Sequence, residues 1–238
     1  MCAQRFDSQG SHARRKMIKV REGVHVALEV RALIGAAGAL LLFPLTDLLF
    51  LRAVNSRPRR RHVVALLIGN VLAGCAVATW PLHLIPAGLL VAILGVPASV
   101  IDAIEHRIPD RLSIPLTVGA VAALAAAAGL GSPLSTCGRS LAAGVAWGGL
   151  LLVSFLISGQ PGPGDVKLAP SLGIVLGWFG WSWLIAGIAL AYLFAGLISL
   201  YLVVTKRLSL REGHVPMGPA MVAATLAVAT AAALTQSN

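Results

Sequence analysis

Long apolar runs recur along this chain from about residue 32 to its C-terminus. Several of them approach or exceed the roughly 18 residues that are typical of a membrane-spanning helix. Secretory signal peptides do not recur in this way. Apolar residues make up 57% of the 238 residues and the mean hydropathy is +0.84, which leaves too little polar surface to coat a soluble globule. The sequence therefore predicts an all-α polytopic membrane protein.

Polar and Gly/Pro-rich turns divide the apolar runs into eight predicted helices. A polar basic tail or interfacial segment (1-31) precedes a helix pair (32-81) and a six-helix core (82-238). The sixth predicted helix, from about Leu168 to Gly180, has only about 13 residues. It must therefore start inside the preceding loop or lie in a thin part of the membrane. The predicted helices are about 32-50, 63-80, 84-104, 112-130, 140-157, 168-180, 184-204 and 216-234.

The net charge of +10 is concentrated in the N-terminal tail and in short loops between apolar runs. Such loops indicate membrane orientation and contact with anionic lipids, and not nucleic-acid binding. With eight spans, the most basic loops share one side, which we predict to be cytoplasmic. These loops hold Arg57 to Arg61, Arg107 and Arg111, Lys167, and Lys206 and Arg211.

The N-terminal tail does not fit this scheme, because its seven basic residues and three acids would then lie outside. Three explanations remain open: the tail is translocated, the first segment does not cross, or the natural start is later, for instance at Met17. The three cysteines, Cys2, Cys75 and Cys137, are widely separated and form no CxxC pair. We assign no metal and no cofactor.

Acids are scarce in this chain, nine in all, so those at membrane edges are conspicuous. Asp102 ends the third predicted span and Asp165 precedes the sixth, which places both at a similar depth. An ionisable residue at that depth is a functional hypothesis by default. Two such carboxyl groups can share a proton, so that one deprotonates water while the other polarises a scissile carbonyl. The glycines beside Asp165 permit the close approach of an extended peptide.

Simpler roles are available for the same acids. Asp165 could cap the sixth helix, and Asp102 could pair with Arg107 or mark the exit from the membrane. Position alone does not choose between these roles and a catalytic one. Elsewhere, we expect Asp47 to pair with Arg52, and Glu105 and His106 to be solvated.

Three blocks, in order, resemble the type IV prepilin peptidases, membrane aspartic proteases of the GxGD class. Asp102 is followed seven residues on by Pro109-Asp110, as in the family's first motif. Gly162-Pro163-Gly164-Asp165-Val166-Lys167-Leu168 is similar to the second, GxGDxK-L. Pro216-Met217-Gly218-Pro219 resembles the PFGP block, with Met217 where Phe is usual. The resemblance covers about residues 84 to 235.

The resemblance implies that Asp102 and Asp165 are catalytic. Their substrates would be pilin-like or pseudopilin precursors, cut between a basic leader and a hydrophobic helix at the cytoplasmic face of the inner membrane. Asp110 would be a loop residue or a helix-start residue, a cap beside Pro109. Lys167 could orient substrate or tune Asp165, but we favour an anchor that extends to the membrane surface. The residues expected to support the site are Gly162, Gly164, Lys167, Pro109, Asp110, Pro216, Gly218 and Pro219.

The loop from Arg52 to His62 departs from many bacterial members of that family. It lacks the two CxxC pairs associated with N-methylation of the new terminus, so we predict peptidase activity alone. Two other function classes stay open. An ion-coupled transporter using the same carboxylates would predict internal repeats, and none is convincing. A non-enzymatic assembly protein would explain the small-residue stretches. The sequence does not predict an oligomeric state.

Overall fold

The computed structural model describes the backbone of residues 3–55, 58–205 and 216–236, with side chains described at Val26 and from Leu28 onward. Within these ranges the chain forms eight helices and no strand, which confirms the predicted all-α fold. Predicted loop residues Arg57, Lys206 and Arg211 lie outside the described part. The helices are α1 (Ala3–Ala53), α2 (Arg60–Val77), α3 (Leu82–Glu105), α4 (Asp110–Gly129), α5 (Leu134–Ser158), α6 (Pro163–Phe179), α7 (Trp181–Val204) and α8 (Gly218–Gln236).

Seven of the described helices are long and apolar enough to cross a bilayer, so the chain is a multi-pass membrane protein. The first of these stretches is Leu28–Ala53, at the end of α1. The backbone of α1 is helical from Ala3, so the predicted polar segment and the first span form one continuous helix. The remaining helix, α6, has 17 residues and is not one of these seven. It begins at Pro163, inside the predicted loop, which explains why its apolar part appeared too short.

Helices α3, α6 and α8 form the centre of the bundle. In the most apolar stretches of α3 and α8, 67% and 61% of residues are buried, against 11–33% in the other candidate spans. Buried side chains extend along α6 from Asp165 to Phe179, because α4, α5, α7 and α8 all pack against it. The three sequence blocks therefore lie on the three most enclosed helices.

Close approach between α5 and α6 fixes the position of α6. A Cβ atom on Gly173 would lie 2.8 Å from the carbonyl oxygen of Ala143, and one on Gly144 would lie 2.7 Å from that of Pro170. Small residues of this kind allow helix backbones to pack tightly in a membrane, where van der Waals contact drives association. A side chain at either glycine would push α6 away from α5.

The third helix changes its winding before it reaches the site. A π-helical turn at Val91–Gly95 ends two residues before Pro97. Proline lacks an N–H group and its ring clashes with the carbonyl four residues earlier in a regular α-helix, and the wider turn accommodates this. Regular α-helix then continues to Glu105 and ends at His106, whose φ of 51° is left-handed. Asp102 thus lies in the last turn of α3.

Candidate functional site

Asp102 is buried at the end of α3 and held by the start of α8. Its side chain is 5% exposed, and its Oδ2 atom accepts a hydrogen bond from the backbone N–H of Gly218 at 3.0 Å. A Cβ atom at position 218 would lie 2.9 Å from the same oxygen, so any larger residue there would displace the carboxylate. Unpaired N–H groups at a helix N-terminus stabilise a carboxylate. The third sequence block therefore positions the first aspartate.

Asp165 lies in the first turn of α6 and is equally buried, at 5% exposure. Its Oδ1 atom has no hydrogen-bond partner, whereas its backbone N–H bonds to the carbonyl of Gly162 at 3.1 Å. Gly164 brings this turn against the segment that follows Asp102: a Cβ atom there would lie 3.0 Å from both the backbone nitrogen and the Cβ of Ile108. The glycine of the second block thus joins the two aspartate-bearing segments.

A cavity of about 190 Å³ lies between these segments and has both aspartates in its wall. That volume has room for several water molecules. It contains a mixture of acidic, basic and backbone polar groups, unlike the apolar surfaces of the helices around it. The wall is formed by Asp102, His106, Arg107, Ile108, Gly162, Pro163, Gly164, Asp165, Lys167 and Pro216.

The two carboxyl groups influence each other's ionisation. Asp165 precedes the apolar part of α6 and lies outside the seven candidate spans. Burial, and secondly the negative charge of Asp102, raises the pKa of Asp165 from 3.8 to about 7, against a weaker opposing effect of the backbone at Gly162. Like charges held close in a low dielectric favour a state in which the pair retains one proton. The site can therefore present a carboxylate and a carboxylic acid together near neutral pH.

Lys167 and Asp110 connect the first and second blocks directly. The Lys167 Nζ atom lies 2.6 Å from Asp110 Oδ1, an ion pair that the sequence did not suggest. Asp110 is the first residue of α4, as expected, and the buried Pro109 precedes it. Both charged side chains are about half exposed, so the pair contributes little to stability. It does link the start of α4 to the Asp165 turn.

The expectation that Glu105 is solvated is wrong. Its side chain is only 10% exposed and lies 2.7 Å from Arg107 Nε. Glu105 Oε1 also accepts a hydrogen bond from the backbone N–H of Asn55 at 2.7 Å, and Arg107 donates to the carbonyl of Ala53 at 3.1 Å. These bonds satisfy backbone groups at the C-terminal end of α1, and they also leave Arg107 paired with Glu105. The N-terminal helix is thereby attached to the segment that follows Asp102.

Two further findings differ from what the sequence suggested. No ion pair joins Asp47 to Arg52 among the described residues, and Asp47 Oδ1 is buried without a hydrogen-bond partner. Tyr192 of α7 lies within electrostatic reach of Asp165. Nothing in the sequence identified Tyr192, because it sits in the middle of an apolar run with no motif around it.

Protonation of Asp165 should be visible as a pH dependence of stability. The pKa of Asp165 is higher in the folded state than in the unfolded state, so the folded state binds the proton more tightly. The free energy of unfolding should therefore fall as the pH rises from 3.8 through about 7, and it should then level off. Asp165→Asn removes the buried charge. We expect the thermal midpoint of Asp165→Asn in detergent to exceed that of the wild type by more at pH 8 than at pH 5.

An Asp165→Asn difference that is the same at pH 5 and pH 8 would contradict the assignment of a buried, proton-retaining Asp165.

The comparison with known families agrees with this geometry. Residues 88–204 match the type IV leader peptidase family, and this stretch includes both aspartates but ends before the Pro216–Pro219 block. No curated protein and no solved structure gives a significant match. Across residues 88–204, the chain belongs to the type IV leader peptidase family.

Proposed function

We propose that the chain is an aspartic-type endopeptidase that removes the basic leader from pilin-like precursors, with Asp102 and Asp165 as its catalytic pair. One observation carries the proposal. Two carboxyl groups from different helices, each 5% exposed, line a single cavity within the segment that matches the type IV leader peptidase family. A structural cap or an isolated membrane-edge acid has no need of a second buried acid beside it.

The surroundings of the two acids support different roles. The Gly218 N–H stabilises negative charge on Asp102, so Asp102 is the carboxylate that removes a proton from water. Asp165 retains its proton near neutral pH and donates it toward the oxygen of the scissile carbonyl. Water adds to the carbonyl carbon to give a tetrahedral diol. The carbon–nitrogen bond then breaks as the leaving nitrogen takes the proton that Asp102 removed. One hydroxyl of the diol returns its proton to Asp165 as the product carbonyl forms, which restores both acids to their starting states.

The distribution of charge supports a cytoplasmic site. At the aspartate end of the bundle, Arg59 and Arg107 lie in loops, and Arg60, Arg111 and Lys167 lie near the starts of α2, α4 and α6. At the opposite end Arg139 donates to the carbonyls of Gly177 and Trp178. An excess of basic residues marks the cytoplasmic side of a membrane protein. The proposed site therefore faces the cytoplasm, where an unprocessed leader would be found at the inner membrane.

The proposal is tested by coexpression with a pilin-like precursor in a host that lacks such a peptidase. The wild type should shorten the precursor by the length of its leader. Asp102→Asn and Asp165→Asn should each reduce the cleavage rate by about a hundredfold or more, as expected for loss of a general acid or base. Both should remain in the membrane at wild-type amounts. Asp47→Asn, which alters an acid away from the cavity, should cleave normally. Full cleavage by either variant of the pair would refute the mechanism.

Gly218→Ala tests how α8 positions Asp102. The new Cβ would lie 2.9 Å from Oδ2 and 3.2 Å from the Cβ of Asp102, so the carboxylate must move. A displacement of this kind should lower kcat by about ten- to a hundredfold with a smaller change in KM. Gly196→Ala is the matched control, because a Cβ atom there meets no neighbouring atom within 4 Å. Equal kcat values for both variants would show that the Gly218 contact does not position the acid.

A further inference from the structure

A second and larger cavity, of about 440 Å³, lies between α2, α3 and α8. Its two hydroxyl groups already have partners: Ser99 Oγ donates to the carbonyl of Val96 at 2.8 Å, and Thr230 Oγ1 accepts from Trp80 Nε1 at 3.2 Å. The groove is therefore apolar in character. Its walls are formed by Ala65, Gly69, Leu72, Ala76, Val96, Ser99, Val100, Pro219, Val222, Ala223, Leu226, Ala227 and Thr230.

This groove lies next to the candidate site. Ser99 lies one helical turn before Asp102 on the same face of α3. Pro219 directly follows Gly218, whose N–H group holds the Asp102 carboxylate. The corner formed by Asp102 and Gly218 thus lies between the polar cavity and the nearer end of the apolar groove.

The groove also has the length and direction of a helical segment. On α2 its wall extends from Ala65 to Ala76, and on α8 from Pro219 to Thr230. Each stretch advances 11 residues, which corresponds to about 16 Å or three helical turns. Both helices start at the aspartate end of the bundle, so the groove extends from the level of the site toward the opposite face.

We propose that this groove binds the first turns of the substrate's hydrophobic helix, directly after the scissile bond. The inference rests on the proposed function, in which an extended stretch at the aspartates must continue as a helix into the bilayer. A helix that leaves the Asp102 corner along α3 and α8 enters the groove. Ala223 and Ala227 are exposed in its wall, and small residues there allow the backbone of a second helix to approach closely.

The kinetic test uses variants with a filled groove and compares their cleavage of two substrates. Ala223→Phe and Ala227→Phe place a large side chain in the wall. We expect them to lower kcat/KM at least tenfold, chiefly through KM, for a full precursor with its hydrophobic helix. Cleavage of a short soluble peptide that ends just after the scissile bond should be unchanged. Ala146→Phe, on an exposed face of α5, is the matched control and should behave as the wild type with both substrates.

A second measurement does not depend on turnover. A photoreactive benzophenone residue replaces Ala227 in the Asp165→Asn background, and the same residue at position 146 serves as the control. The groove position should crosslink to the hydrophobic helix of the precursor, and the control position should not. Crosslinks from position 227 to phospholipid alone would overturn the inference and would identify the groove as a lipid site.

The two proposals fail in different ways. If the wild type cleaves no precursor, the proposed peptidase function is wrong. If the wild type cleaves the precursor while both groove variants match Ala146→Phe, the peptidase function stands and the groove inference alone is wrong.

Discussion

Two carboxyl groups removed from water at one end of a helical bundle impose the main constraint on this structure. In a medium of low dielectric constant, two adjacent negative charges repel strongly, and each loses its hydration. The bundle accommodates them at helix ends: Asp102 in the last turn of α3, and Asp165 in the first turn of α6. The N–H group of Gly218 stabilises the negative charge of Asp102, and Asp165 avoids a second negative charge by retaining its proton.

The remaining architecture follows from bringing those helix ends together. Helices α3, α6 and α8 are the most enclosed and carry the three sequence blocks, so site geometry and core packing depend on the same contacts. Gly164 and Gly218 permit close contacts at these helix ends, against Ile108 and Asp102. The outer helices supply the surface that faces lipid. Even so, α1 is attached to the site, because Glu105 and Arg107 bind the backbone at its C-terminal end.

Motif spacing and hydropathy predicted the helix count and the placement of Asp102 and Asp165 at helix ends. They left an early start of α6 as one of two explanations for its short apolar part. They could not predict contacts between distant loops. The Lys167–Asp110 pair, the burial of Glu105 and the proximity of Tyr192 to Asp165 depend on how helices cross. The proposed Asp47–Arg52 pair was wrong because residues five apart on an α-helix lie on different faces, whereas residues three or four apart are neighbours. The apolar groove lacks a motif, since small residues on three separate helices create it.

The central claim is that Asp102 and Asp165 act as one titrating pair. Infrared spectroscopy of the carboxylic acid C=O stretch tests it directly, with Asp165→Asn used to assign the band of Asp165. If the acids are coupled, replacing Asp102 by Asn removes a negative charge from the neighbourhood, and the Asp165 band should titrate at lower pH than in the wild type. An Asp165 titration that is unchanged in Asp102→Asn would show that the two acids are independent, and it would contradict the account.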